Sequence, residues 1–415
     1  MGRRRHHHSS RHRTSEPPRS RTVNPLAVYI HIPFCTVKCG YCDFNAYAGM
    51  DGLKRDYTRA LLREIELRHE EVAARNITSI VFGGGTPGEM PPGDLTAIID
   101  ALRSSATISP DAEIGIEANP GSTGPDDLRQ LAEAGVNRVS FGAQSFDSEE
   151  LRFLDRIHSP EAIDASVANA RRAGIASVNI DLIYGLPGQG AAAWDRTLQR
   201  ALALNTDHLS LYALTVEDGT LLGRRVREGS VIMPGPDTVA DLYERATTTL
   251  GRSGFQQYEL SNWARPGHKS RHNITYWSDG DYLGLGAGAH GYLNGERYEN
   301  VAHPREYVRS LRGPASGPRA AVSSASVPER STAIFDWVTL ALRLSEGFEP
   351  AAFAARFGAC LDDVIGPPLA ECEAAGLLQR DRRGVRLTRA GRLMHGEVSV
   401  RVLAHLRAGT PAHED

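Results

Sequence analysis

The sequence predicts an α/β chain in which a parallel sheet curls into a partial barrel and a small C-terminal α+β unit of winged-helix form follows. Three observations carry this. Apolar strand-like runs alternate with amphipathic helical stretches over residues 26–214. Polar residues within those runs fall at the strands' C-terminal ends, where folds of this kind place their sites. Beyond a stretch rich in Pro, Ser, Gly and Ala at 313–328, three helical patterns precede two short strand-like segments.

The first run, 26–32, is apolar and ends at Pro33, which removes an amide donor from any ladder. The next stretch, 57–74, carries Leu61, Leu62, Ile65, Leu67 and Val72 with charges between them, the spacing of an amphipathic helix. The alternation then repeats: strand 77–81, helix 94–104, strand 113–118, helix 126–134, strand 138–142, helix 160–173, strand 177–183, helix 193–204, strand 208–214. Six strand–helix units predict a parallel sheet. Periodicity leaves open six strands or eight, and a barrel or a doubly wound sheet.

With 415 residues and 41% apolar composition, the chain has enough material for one barrel-sized domain and one or two small ones. A net charge of −3 gives no general pull toward nucleic acid or an anionic membrane. No apolar run approaches the roughly 18 residues a membrane span needs. Of five cysteines three are clustered, while Cys360 and Cys372 stand alone on helical stretches and are expected to pack, so no disulfide framework is implied. A reducing, cytoplasmic compartment fits this pattern. Residues 1–22 hold Arg, His, Ser and Pro with almost nothing apolar, predicting a disordered basic tail to which no function is assigned.

The chemistry is concentrated just after the first strand, in the string C-T-V-K-C-G-Y-C, with thiols at Cys35, Cys39 and Cys42. Three thiolates on one short loop suit an iron–sulfur cube with one iron left open, since a [4Fe–4S] cluster is usually held by four. A tetrahedral zinc site is the alternative, with His31 as a fourth ligand. The second feature is Gly83-Gly84-Gly85-Thr86, directly after the second strand, where missing side chains let backbone approach a ligand.

Together with Tyr29-Ile30-His31-Ile32-Pro33-Phe34-Cys35, these motifs resemble the radical S-adenosylmethionine (SAM) superfamily, in the branch of the oxygen-independent coproporphyrinogen III oxidases and the heme chaperones. The resemblance implies an open (β/α)6 barrel and a [4Fe–4S] cluster on Cys35, Cys39 and Cys42 with SAM on its open iron. It carries SAM contacts over to Tyr29, Tyr41, Gly84, Gly85, Thr86, Glu117, Gln144, Arg156 and Asp181. Glycine carbonyls and Thr86 would receive the ammonium, Glu117 the ribose hydroxyls, and Arg156 the carboxylate or neighbouring acids. The implied domains are the tail 1–22, a radical SAM core 23–255, a barrel extension with linker 256–325, and a winged-helix-like unit 326–408.

Within the extension, His272-Asn273-Ile274-Thr275-Tyr276-Trp277 matches the heme-chaperone branch, and Gly284 to Gly291 alternate glycine with alanine and end near His290. The resemblance implies heme as cargo, with His272 as a candidate iron ligand; an ordinary hydrogen-bonded histidine is the alternative. The oxidases carry a further Cys two residues past the third thiol, where this chain has Phe44. Turnover of coproporphyrinogen III in porphyrin biosynthesis is therefore the second reading, and SAM cleavage stays open. Partners implied are heme and heme-accepting proteins, membrane-associated cytochromes among them, with a homodimer open. Arg380, Arg382, Arg383 and Arg386 raise the idea of DNA binding by the last unit, but Glu371, Glu373 and Asp381 dilute the charge, and no nucleic acid is expected.

Overall fold

Strand β1, Pro25–Ile32, buries six of its eight residues, the signature of a strand covered on both faces. Five more follow: β2 (Asn76–Gly84), β3 (Thr107–Ala118), β4 (Arg138–Gln144), β5 (Ser177–Tyr184) and β6 (His208–Ala213). All six pair in parallel in sequence order. The crossovers are helices Lys54–Leu67, Pro92–Ser105, Pro125–Glu133, Pro160–Arg172 and Ala191–Ala203. Three of these begin on a proline whose missing amide costs a first turn nothing. A doubly wound sheet would reverse its strand order at a switch point. This one advances in a single direction, as a barrel does.

The computed structural model describes residues 24–313 and 317–408, so the basic tail 1–22 lies outside the described residues. The sheet extends past both ends of the six-strand run. Outside β1, Tyr282–Leu285 pairs in parallel, and His290–Leu293, Glu296–Asn300 and Val322–Ser326 continue antiparallel. Outside β6, Asn262–Ala264 and Gln256–Glu259 add an antiparallel edge. The two ends of this twelve-stranded sheet do not pair with each other, so it is open.

Part of the stretch expected as a linker, 313–328, is strand. Val322–Ser326 is mostly exposed and joins the edge through main-chain pairing to Glu296–Asn300, so its side chains carry no apolar alternation to announce it.

The C-terminal unit has its own core around Trp337, Phe348, Phe353, Ile365 and Leu369. Helices Arg330–Ala341, Pro350–Phe357 and Leu361–Ala374 precede the antiparallel wing Leu378–Asp381 and Gly384–Leu387. It docks on the barrel through Arg343 to Glu259 at 3.0 Å, Arg356 to Asp279 at 2.9 Å and Arg392 to Gln257 at 2.6 Å. Arg380 pairs with Asp362 and Arg386 with Asp381, which cancels much of the wing's charge. Cys372 is buried in this core, whereas Cys360, expected to pack likewise, is exposed because it precedes its helix. Among the described residues no helix is long and apolar enough to cross a membrane.

Candidate functional site

Pro33 ends β1, and the two-residue pairing of Phe34–Cys35 on Tyr47–Ala48 closes the cysteine loop. Inside it, Cys42 N–H donates to Cys39 O at 3.1 Å. Gly40 N–H donates to Asp155 Oδ2 at 3.0 Å, and a Cβ on Gly40 would lie 2.7 Å from that oxygen. All three thiols are free and half-buried. Thr86 Oγ1 donates to Cys35 Sγ at 3.4 Å and Arg156 Nη1 to Cys39 Sγ at 3.6 Å. Burial pushes the Cys35 and Cys42 thiols above their ordinary range, with Cys39 adding to both. Iron bound there would reverse that preference and hold thiolates.

The zinc alternative fares worse. His31 donates through Nε2 to Asn45 O at 2.9 Å, which leaves Nδ1 to accept from Tyr29 OH at 3.0 Å. Among the described residues, no three His, Cys, Asp or Glu side chains converge closely enough to hold a single ion. Thiolates on separate irons of a cube have no need to converge on one point.

Against this loop lies the glycine run that ends β2. Gly85 N–H donates to Ile32 O at 2.8 Å and Thr86 N–H to Phe34 O at 2.7 Å. A Cβ on Gly85 would stand 2.6 Å from Phe34 O and 2.9 Å from Ile32 O, backbone on both sides. Gly84 has φ +109° and donates its N–H to Glu117 Oε2 at 3.1 Å. These positions demand glycine on grounds of space and conformation.

The strand ends complete a cavity of about 600 Å³. Its wall includes Cys35, Cys39, Tyr41, Cys42, Gly84, Gly85, Thr86, Glu117, Gln144, Arg156 and Asp181. Arg156 donates to Gly142 O at 2.6 Å and to Asn119 Oδ1, and Asn119 Nδ2 donates to Thr86 Oγ1 at 3.1 Å. Among the described residues Arg156 Nε is buried without a partner, a donor suited to an anion bound alongside. Gln144 holds φ 65°, unusual for a residue with a side chain, where β4 loses register. Burial, then the charge of Asp181, pushes Glu117 up to about 7. Asp181, also raised by burial, accepts from Ser140 Oγ and Asn179 Nδ2, both at 2.8 Å.

Sequence reasoning named Glu117 and Asp181 but missed the rest of the polar floor. Glu113, Gly115 and Glu117 of β3, Arg138, Ser140 and Gly142 of β4, Asn179 and Asp181 of β5, and His208, Ser210 and Tyr212 of β6 all line the same cavity. They recur every second residue, the period of one strand face, and that alternation was available as a signal. Asn119, the bridge between Thr86 and Arg156, had no such signal.

Tyr29 and His272 stand apart from this cavity. Tyr29 lines a second one of about 660 Å³ with Tyr276, Trp277, Tyr282, His290 and Tyr292, and the two cavities share Phe44, Gly84 and Glu117. His272 belongs to the short helix Arg271–Trp277, whose first turn gives the N–H groups of Arg271 and His272 to Glu113 at 3.1 and 3.2 Å. It is 2% exposed, and its ring nitrogens meet Ser79 Oγ at 2.9 Å and Tyr276 OH at 2.7 Å. Burial lowers its pKa to about 4. Iron ligation by His272 thus requires one of these two bonds to be exchanged.

A family description reading "Radical SAM superfamily" matches residues 29–201, and one reading "HemN C-terminal domain" matches 330–394. The chain is 40% identical over 371 residues to "Heme chaperone HemW" of Mycobacterium tuberculosis, covering 89% of this chain and 92% of that one. It is 36% identical over 375 residues to the protein of the same description in Escherichia coli strain K12, covering 89% and 96%. The solved structure of the E. coli coproporphyrinogen III oxidase, HemN, described as a radical SAM enzyme, superposes with TM-score 0.80 at 27% identity, covering 92% of this chain and 90% of that one.

Proposed function

The chain belongs to the HemW family of radical SAM proteins, and on that footing we propose that it is a heme carrier: it holds a [4Fe–4S] cluster and SAM, binds heme beside them, and passes the heme to acceptor proteins. The observation that carries the reading over the oxidase is Phe44. Where the oxidases resembled here have another cysteine, this chain puts a 61% exposed phenyl ring at the meeting of the two cavities. An apolar ring there favours holding a macrocycle over reacting with its propionates.

Cys35, Cys39 and Cys42 would hold the cluster; when bound, cluster and SAM supply one-electron chemistry at a sulfonium carbon. Backbone around Gly84 and Gly85, with Thr86, would receive the SAM ammonium. Glu117 would accept the ribose hydroxyls, and Arg156 would pair with the carboxylate through its unspent donor. Gln144, Asp181 and Tyr41 would line the remainder, and Tyr29 would stand on the heme side through its place in the second cavity. The protein would work in a reducing cytoplasm, with membrane-associated cytochromes among its acceptors and no nucleic acid.

Anaerobic purification followed by parallel assays tests this. Heme retained by the cluster-loaded chain, with no coproporphyrinogen III converted, is the expected result. Conversion to protoporphyrinogen IX at rates suited to an enzyme would move the assignment to the oxidase.

A further inference from the structure

The proposed carrier role, on which this inference rests, leaves open which side chain meets the heme iron. Three imidazoles come near the second cavity, and two are already committed. His31 spends both nitrogens on Tyr29 and Asn45, and His272 spends both on Ser79 and Tyr276. His290 differs from both. It lines the cavity and is exposed, and among the described residues its ring makes no hydrogen bond.

We propose that His290 is the axial ligand of the transported heme, with the macrocycle against the wall of Tyr276, Tyr282 and Tyr292. The pairing of the strands builds this site. His290 and Tyr292 sit two residues apart on strand His290–Leu293, so they share one face of the sheet. Tyr282 and Arg297 are the residues paired with Tyr292 on either side. Tyr276 meets Tyr282 edge to face with centroids 4.7 Å apart, which ties the wall to the helix that holds His272.

The chemistry of the cavity suits an iron porphyrin. Flat aromatic faces match a planar apolar ring, an unprotonated imidazole is a common iron ligand, and a guanidinium pairs with propionates. Arg297 supplies that guanidinium: it is 40% exposed and pairs with Asp336 at 2.8 Å, leaving donors of its fork for a second carboxylate. Asp279, a carboxylate of the same cavity, is already paired with Arg356 at 2.9 Å. A ligand at the exposed rim also suits cargo that must leave, since an acceptor's side chain can reach the iron without unfolding the wall. His272 then acts as a positioning residue: it orients Tyr276 through the bond to its hydroxyl.

The test titrates ferric heme into the anaerobically purified, cluster-loaded full chain and follows the Soret difference spectrum and the heme EPR signal. His290→Ala should lose the histidine-ligated signature and weaken heme binding at least tenfold, with iron content and melting temperature as in wild type. Imidazole added to His290→Gly should restore the spectrum, which a merely structural role would not allow. His272→Ala should retain the histidine-ligated signature with altered affinity. A wild-type spectrum from His290→Ala would overturn this assignment while leaving the carrier role standing. A wild-type chain that binds no heme at all would overturn both.

Discussion

The two cavities meet at Phe44, Gly84 and Glu117, yet they are built from opposite materials. The first is walled by thiols, carboxylates, amides and Arg156 on the strand ends of the β/α units. The second carries aromatic rings from β1, the helix Arg271–Trp277 and the added strands, together with Asp279 and Arg297, with Leu340 of the C-terminal unit closing one side. Charged groups need fixed partners, and the central strands supply them: Asp181 accepts from Ser140 and Asn179, and Glu117 from Gly84. Aromatic faces need only area, which an added sheet edge and a docked helix provide. On the proposed reading, the small polar cofactor would occupy the interior of the barrel and the large flat cargo its flank.

Glu117, on the border of the two cavities, and His272, which lines neither but bonds to Tyr276, show what burial does to ionisable groups of either sign. Glu117 is driven up to about 7 and His272 down to about 4, and in each case the neutral form wins because low dielectric penalises charge.

Cys39→Ala offers the largest way to break the comparison. It should remove the four irons of about one cluster per chain, read by iron analysis and loss of the cluster absorption, while heme still binds on the flank. Loss of heme binding together with the iron would mean that the two cavities act as one site. Glu117→Ala comes next, at the shared border. Each charge-assisted bond lost to a ribose hydroxyl costs about 1.5–3 kcal/mol, so SAM affinity by calorimetry should fall about ten- to a hundredfold per bond, with iron content unchanged.

On the aromatic side, His272→Ala leaves Ser79 and Tyr276 without their partner. A buried hydrogen-bonding group left unmade costs about 1–3 kcal/mol, a drop that urea unfolding would register. Stability equal to wild type would show that the Ser79–His272–Tyr276 chain is not formed in solution.

The pH dependence of the cluster-free chain sharpens the contrast further, because the two groups act with opposite sign. Glu117 binds its proton more tightly folded than unfolded, so its contribution is full below its ordinary 4.5 and is lost as pH climbs through about 7. His272 contributes above its ordinary 6.5, and that share is lost as pH falls through about 4. Glu117→Gln should therefore flatten the decline in urea midpoint between pH 4.5 and about 7; an unchanged slope would mean that Glu117 ionises normally. SAM affinity in the wild type should rise over the same interval as the carboxylate forms. The smallest effect belongs to Cys360→Ala. Exposed and in the lining of neither cavity, it should leave iron, heme and melting temperature unaltered.

The amino-acid sequence alone was enough to determine the six central strands, their helices and the three thiols. Each rests on local information: apolar periodicity for the elements, a fixed short spacing for the loop, and Gly83-Gly84-Gly85-Thr86 for the close approach of backbone. Strand period also determined which residues of β3 to β6 look inward, although the floor of Glu113, Asn179 and His208 shows how easily that period is passed over when only strand ends are inspected. Tertiary structure alone decided the rest. Val322–Ser326 becomes a strand because an edge offers it main-chain partners, a bond pattern that leaves no trace in side chains. His272 and His290 look alike in a sequence, each beside aromatic or small residues. One is spent on Ser79, 193 positions away, and the other, with no ring hydrogen bond among the described residues, stands at a rim made by pairing Tyr282 with Tyr292. Periodicity tells which way a side chain points within its own element, whereas what it meets there depends on contacts between segments that the chain brings together only on folding.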